Sequence, residues 1–192
     1  MGDVDGFLDE VATRLSPAKK MQANMLRAFD MRKHDQLLYD SLAEGKQQLM
    51  YTAMLRSAKA EAWARALQLA ADRRQGGVLI HCAQGKDRTG VLAALLQHAA
   101  GDLEREIIEG YAASEALLAE RPRDEAAEPR ESEGGVDWSA LRGSPPEAMV
   151  ETLQWLRSTY GAIDSFLEGT GCGNEWREVL LAPPALHGRG WR

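Results

Sequence analysis

The chain has 192 residues, a formal net charge of −6, 44% hydrophobic residues and 27% charged residues. This length and composition are typical of one globular domain, and they exclude fibrous and fully disordered proteins. Two cysteines cannot form a disulfide framework, and the acidic balance argues against a nucleic-acid-binding protein, which needs clustered positive charge.

The sequence predicts no membrane segment and no leader. No run of about 18 apolar residues occurs, so no helix is expected to span a bilayer. The opening residues, MGDVDGFLDEV, are acidic and lack the basic start and apolar core of a signal peptide. We therefore expect a cytoplasmic protein without an integral membrane segment.

Periodic apolar residues predict helices throughout the first 75 residues. A short amphipathic helix is expected over 3–15, and Ser16-Pro17 is typical of a helix start with the serine as N-cap. A helical run from about Asp35 is expected to be interrupted at Gly45, and residues 48–73 form the clearest early helix. The stripe after the proline is expected to pack in the core: Met21, Met25, Leu26 and Phe29.

One strand is predicted, at residues 78–82. The run Val-Leu-Ile-His-Cys is short, apolar and β-branched, and it follows a glycine pair. The apolar run over 91–100 predicts a buried helix, and residues 103–119 predict another.

A charged segment divides the second half of the chain. Residues 119–135 contain two prolines, a glycine pair and many charges, which predicts a loop or an insertion within a domain. Helical periodicity resumes over 144–160, with Ser144 as the expected cap. The predicted organisation has three parts: an N-terminal helical segment 1–45, a main domain 46–182, and a loose tail 183–192.

The ten residues HCAQGKDRTG, numbered 81–90, lie between the predicted strand and the buried helix. A strand–loop–helix junction directs backbone N–H groups and a helix N-terminus at one point, which forms an anion site. Gly85 permits the positive φ of a tight loop, and Arg88 offers a planar fork that matches two phosphate oxygens. Cys82 begins the loop, where these donors would stabilise a thiolate and make it a nucleophile toward a bound phosphoryl group. The Thr89 hydroxyl can donate to that sulfur and ease its departure.

Two other interpretations of this stretch fail on spacing. The GxxxxGK[ST] pattern of a Walker A loop is absent. A zinc site is not expected either, because Cys172 is distant and no paired histidines accompany Cys82.

HCAQGKDRTG resembles the signature of the cysteine-dependent protein tyrosine and dual-specificity phosphatases, His-Cys-x5-Arg-Ser/Thr. Its GKDRTG form resembles the bacterial and fungal branch, of the tyrosine phosphatase family 3 type. Residues 107–114 and parts of the C-terminal helices resemble the same branch, so the similarity covers about 48–182. The main domain 46–182 is accordingly expected to be phosphatase-like.

The resemblance implies an α/β fold in which a parallel sheet is flanked by helices. Because one strand is recognised, at 78–82, we expect a helix-rich version with a reduced sheet. The upstream strands are either missing from residues 1–75, as in an N-terminally shortened member, or present there but unrecognised.

The resemblance also implies roles for the loop residues. Cys82 would attack phosphorus and form a phosphocysteine, while Arg88 and the loop backbone hold the phosphate oxygens. Lys86 would add positive charge toward the substrate, His81 would orient the loop and help to lower the thiol pKa, and Thr89 would assist hydrolysis of the intermediate. No metal and no cofactor are implied. The expected phosphate-binding residues are Ala83, Gln84, Gly85, Lys86, Asp87 and Arg88.

The general acid is not determined by the sequence. Many relatives supply an aspartate from an upstream loop, but no Trp-Pro-Asp or equivalent occurs here. Asp87 is the first candidate, and an equally good interpretation is that Asp87 only holds the loop through hydrogen bonds or pairs with a cation. Asp30 is a remote candidate, because Phe29-Asp30-Met31-Arg32 faintly resembles a Phe-Asp-Leu-Arg strand of the family.

The function expected is a metal-independent phosphomonoester hydrolase that acts through Cys82 on a phosphorylated protein, a phosphoinositide or an inositol phosphate. The alternative is a catalytically weak or inactive phosphate-binding module derived from the same fold. Sulfur transfer or arsenate reduction has less support, because rhodanese-like loops are usually one residue shorter and no resolving cysteine lies near the loop.

Overall fold

The computed structural model describes residues 4–72, 78–120 and 141–181. Within these ranges the regular elements are α-helices, and none of the helices there has the length and apolarity needed to cross a bilayer. They are α1 (Val4–Thr13), α2 (Pro17–Phe29), α3 (Met31–Ser57), α4 (Ala60–Ala71), α5 (Asp87–Ala100), α6 (Glu104–Ala119), α7 (Pro146–Tyr160), α8 (Ile163–Gly169) and α9 (Asn174–Leu181).

The expected α/β fold with a parallel sheet is wrong for this structure. The described residues contain no strand, and residues 78–82 run into the loop before α5 without pairing in a sheet. A strand is stable only when a neighbouring strand satisfies its backbone N–H and C=O groups, and the described residues before it are helical and provide none. Leu79 is 86% exposed, so this apolar run is not covered as a buried strand would be.

Local signals explain several helix ends. The Ser16 hydroxyl accepts a hydrogen bond from the Lys19 N–H at 3.4 Å and Pro17 begins α2, as the sequence predicts. The interruption expected near Gly45 is a kink in α3, where Lys46 has φ of +51° and ψ of −157°. A Cβ at residue 45 would lie 2.5 Å from the Leu49 side chain, so this close approach requires glycine.

Two other expected boundaries differ from the structure. The single helix expected over 48–73 is broken, because Ala58 and Lys59 have extended ψ angles of 134° and 143° between α3 and α4. Ser144 does not cap α7: Pro145 precedes the helix and Pro146 begins it, while the Ser144 hydroxyl is buried without a hydrogen-bond partner among the described residues.

Two hydrophobic clusters form the core. The larger one surrounds α5, which contributes Val91 and Leu95, and α3 reaches it through Tyr51 and Leu55. The smaller cluster joins α1 to the first half of α3, with Val11 and Leu38 fully buried. Helix α5 therefore starts directly after the loop at residues 81–86 and ends in the main core, which fixes the orientation of its N-terminus.

The predicted division of the chain remains a prediction. A boundary at residue 45 would fall inside α3, next to the Lys46 kink. The expected loop at 119–135 lies almost entirely outside the described residues, and so does the expected tail at 183–192.

Candidate active site

Cys82 lies in the loop that leads into α5. The structure brings the predicted loop residues together here: Asp87 begins the helix, Lys86 is its N-cap, and Cys82 is half-buried five residues before Asp87. Gly85 has φ of +78°, in the left-handed region that glycine adopts freely. Gly85 and its neighbours Ala83 and Gln84 are exposed, so solvent reaches the loop around the sulfur.

The thiol of Cys82 is poised to ionise near neutral pH. Burial raises its pKa, but the Thr89 hydroxyl and the backbone N–H groups of Thr89, Gly85 and Gln84 together have the larger opposite effect and lower the pKa to about 7. The Thr89 hydroxyl is buried and makes no hydrogen bond of ordinary geometry with a described residue, so the three backbone N–H groups are the main source of this stabilisation. A thiol with this pKa is substantially thiolate at pH 7, and the thiolate is the nucleophilic form.

Arg88 and His81 flank the thiol in the sequence and both are exposed. Arg88 is in the first turn of α5, where backbone N–H groups and the positive end of the helix dipole already favour an anion. Its predicted role toward phosphate oxygens and the orienting role of His81 remain predictions.

Lys86 has a different environment from the one that the resemblance implies. Its side chain is 1% exposed, and its ammonium donates to the Leu141 carbonyl at 2.7 Å, the Gly143 carbonyl at 3.0 Å and Asp87 Oδ1 at 3.1 Å. The ammonium therefore lies inside the protein, between the loop and residues 141–143.

The same oxygen of Asp87 also accepts a hydrogen bond from a tyrosine that is paired with a second tyrosine. The Tyr51 hydroxyl donates to Asp87 Oδ1 at 2.7 Å and lies 2.7 Å from the Tyr111 hydroxyl. Burial, followed by the charge of Asp87, raises the pKa of Tyr51, so this hydroxyl keeps its proton. Because that proton is given to Asp87, Tyr111 must donate to Tyr51; burial raises the pKa of Tyr111 to about 12.

The sequence analysis did not identify Tyr51 and Tyr111. Both lie on apolar helix faces, and their side chains are 0% and 4% exposed. A usable signal was available, because a buried tyrosine hydroxyl needs a hydrogen-bond partner and Asp87 is a polar group at the start of a buried helix. Which tyrosines meet it depends on the packing of three helices, which spacing alone does not determine.

The remaining candidates lie elsewhere. Asp30 is the N-cap of α3, where its carboxylate accepts from the Lys33 N–H at 3.2 Å, and this hydrogen bond lowers its pKa. Cys172 is a free thiol in the main core; burial raises its pKa, and its sulfur lies 3.8 Å from the Ala64 carbonyl. No group of three or more potential metal ligands occurs among the residues described.

Comparison with known proteins places this chain in a family. The family model described as "Tyrosine phosphatase family" matches residues 8–182, which is most of the chain. The chain belongs to the tyrosine phosphatase family. Membership confirms the resemblance that the loop and its flanking segments suggest. The matched region also takes in the second half of α1 and all of α2, which lie before the segment of similarity recognised in the sequence.

One relative gives the extent of the similarity. A protein of Nostoc commune named "Tyrosine-protein phosphatase" is 31% identical over 121 residues, which cover 56% of this chain and 39% of the relative. The matched part is thus well under half of that relative's length. No solved structure matches the chain.

Proposed function

We propose that this member of the tyrosine phosphatase family is a metal-independent phosphomonoester hydrolase that acts through a phosphocysteine on Cys82. The observation that carries the proposal is the placement of the backbone N–H groups of Gln84, Gly85 and Thr89 around the Cys82 sulfur at the start of α5, which lowers the thiol pKa to about 7. The same N–H groups, the start of α5 and Arg88 can neutralise phosphoryl charge, which is the work that a metal ion does in other phosphatases.

The reaction has two steps. The Cys82 thiolate attacks phosphorus, the P–S bond forms as the ester P–O bond breaks, and the leaving oxygen takes a proton from an acid or from water. Water then attacks phosphorus and loses its proton, the P–S bond breaks, and the electron pair returns to sulfur as thiolate. Thr89 would assist the second step, because a hydroxyl beside the sulfur stabilises the departing thiolate.

Asp87 is better suited to holding the loop than to acting as the general acid. Two donors, the Lys86 ammonium and the Tyr51 hydroxyl, point at its Oδ1. Both contacts tie the start of α5 to its surroundings, so the side chain of Asp87 is engaged in supporting the loop. The proposal therefore leaves leaving-group protonation to water, and it favours substrates whose leaving groups need little help.

Phosphotyrosine in proteins is the substrate that we propose. The phenolate of tyrosine is a better leaving group than an alkoxide, and the family description and the name of the Nostoc commune relative both specify tyrosine phosphatases. Phosphoserine or phosphothreonine, as in dual specificity, and inositol phosphates stay as alternatives for the assay. We also propose a reducing, cytoplasmic location, because both cysteines are free thiols.

Hydrolysis of an aryl phosphate by Cys82→Ser tests the mechanism. We expect the variant to lose at least about a thousandfold in kcat, because serine is not ionised at neutral pH and cannot replace the thiolate. Cys172→Ala is the matched control and should retain the activity, since Cys172 lies in the core away from the loop. Equal, vanadate-sensitive activity of Cys82→Ser and the wild-type protein would refute the proposal.

A phosphate-binding module without turnover is the second candidate. It is favoured by the absence of a sheet behind the loop in the described residues and by the engagement of Asp87 in structural contacts. A phosphotyrosine peptide that binds the wild-type protein and survives prolonged incubation would support this candidate over the hydrolase.

A further inference from the structure

The Lys86 ammonium has no hydrogen-bonding capacity left for a ligand. A lysine ammonium has three N–H donors, and here three acceptors lie within 3.1 Å: the carbonyls of Leu141 and Gly143 and the Asp87 carboxylate. The side chain is also 1% exposed. A substrate phosphoryl group on the open side of the loop therefore finds no donor on this residue.

The segment that receives Lys86 is itself fixed by two other helices. The Gln47 side chain, from α3, donates to the Gly143 carbonyl at 3.1 Å, and the Ser144 N–H donates to Glu115 of α6 at 3.1 Å. Gln47 is 3% exposed, so this is a buried polar arrangement in which each group depends on its partners. Residues 141–144 thus form a fixed point to which the loop is attached.

We propose that Lys86 is a positioning residue that fastens the phosphate loop to residues 141–143 and does not contact the substrate. This inference rests on the proposed function and assigns Lys86 a different role from the one implied by the family resemblance. Turning the ammonium outward would break three hydrogen bonds and leave the buried Leu141 carbonyl, the half-buried Gly143 carbonyl and the Asp87 carboxyl group without this donor, which is costly.

The position of Lys86 explains what the fastening does. Lys86 directly follows Gly85 and directly precedes α5, so it lies between the N–H groups of Gln84 and Gly85 and that of Thr89. These are the N–H groups that lower the pKa of Cys82. If the Lys86 hydrogen bonds are removed, these N–H groups become less well oriented toward the sulfur, and the thiolate is stabilised less.

Titration of the Cys82 thiol tests the proposal without depending on catalysis. The rate of alkylation by iodoacetamide is measured against pH in a Cys172→Ala background, with and without Lys86→Met. We expect a midpoint near 7 before the change, and a rise of about one pH unit after it, as the N–H groups lose their alignment. Lys59→Met, an exposed lysine before α4, is the matched control and should leave the midpoint unchanged.

Activity adds a second readout. If Lys86 acts only through the loop, Lys86→Met lowers kcat/KM by the same factor for an aryl phosphate and for a multiply phosphorylated inositol. A direct contact would instead raise KM mainly for the more highly charged substrate. An unchanged alkylation midpoint in Lys86→Met overturns the proposal, whatever the activity.

Loss of folding does not remove the test. An exposed substrate-binding lysine contributes little to stability, so a large fall in the melting temperature of Lys86→Met supports the buried attachment. The midpoint is then measured on Gln47→Leu, which removes the other side-chain donor to the Gly143 carbonyl. A smaller rise is expected, and an unchanged midpoint overturns the proposal. Because alkylation needs no turnover, a loop that titrates as expected in an inactive protein would refute the proposed function alone.

Discussion

At the scale of single residues, the reactivity of Cys82 comes from a balance that can be read in physical terms. Burial alone would make the thiol a poorer acid, and the loop reverses this with the Thr89 hydroxyl and three backbone N–H groups. The positive φ of Gly85 allows the chain to turn these groups inward. The residues needed for this arrangement lie close together in the sequence, so a local motif is enough to point to them, and their roles in catalysis stay predictions.

Substitution of Asp87 separates its two candidate roles. Asp87→Asn keeps the size of the side chain but removes its negative charge, so the contacts with Lys86 and Tyr51 weaken. If Asp87 holds the loop, kcat/KM falls by a similar factor for an aryl phosphate and an alkyl phosphate. If it were the general acid, the alkyl ester would lose a further factor of about 10² to 10⁴, because its leaving group needs the proton.

The comparison uses pH–rate profiles of both substrates, with Asp102→Asn as the control. Asp102 is an exposed aspartate beyond the end of α5, and its substitution should change neither profile. A selective loss on the alkyl ester would restore Asp87 to the role of acid.

At the scale of elements, the helix positions were largely predictable and the fold class was not. Periodicity located the helices of the first 72 residues, and Ser16-Pro17 located the start of α2.

Two expectations about burial failed for the same reason. Residues 78–82 have the composition of a buried strand, and the stripe of α2 that carries Met21 and Phe29 has the composition of a core face, yet Leu79 and both of these side chains are exposed. Composition shows that a segment could be buried, but burial needs a partner surface that the pattern does not specify.

The Tyr51–Tyr111 pair joins α3, α5 and α6 through one hydroxyl group, so removing that hydroxyl should lower the stability of the protein. In Tyr51→Phe, Asp87 loses a donor and the buried Tyr111 hydroxyl loses its acceptor. We expect the free energy of unfolding to fall by about 1–3 kcal/mol, the usual cost of leaving buried polar groups unpaired.

Urea unfolding of this variant and of Tyr160→Phe provides the measurement. Tyr160 lies at the exposed end of α7 and is 36% exposed, so its change should cost less than about 0.5 kcal/mol. Equal effects of the two substitutions would show that the Tyr51–Asp87 hydrogen bond makes no measurable contribution to the free energy of unfolding.

At the scale of the whole molecule, the reactive loop is supported by helices that come from distant parts of the chain. Helix α5 is anchored in the main core. Tyr51 of α3, which is hydrogen-bonded to Tyr111 of α6, holds Asp87, and residues 141–143 hold Lys86. The hydrogen bonds of Tyr51 with Asp87 and Tyr111, and of Lys86 with Leu141, join residues 36 to 60 positions apart in the sequence. The local sequence pattern therefore suggests a chemistry for the loop, which stays a prediction, whereas the support of the loop depends on long-range packing.

The central claim is that the sulfur of Cys82 carries the phosphoryl group during turnover. Rapid acid quenching of the protein with an aryl phosphate, followed by mass analysis of its peptides, tests this claim directly. We expect a transient gain of one phosphoryl group on the peptide that contains Cys82, and no such gain in Cys82→Ser. Hydrolysis that proceeds with no phosphorylated Cys82 peptide at any quench time, or with the phosphoryl group on another residue, would contradict it.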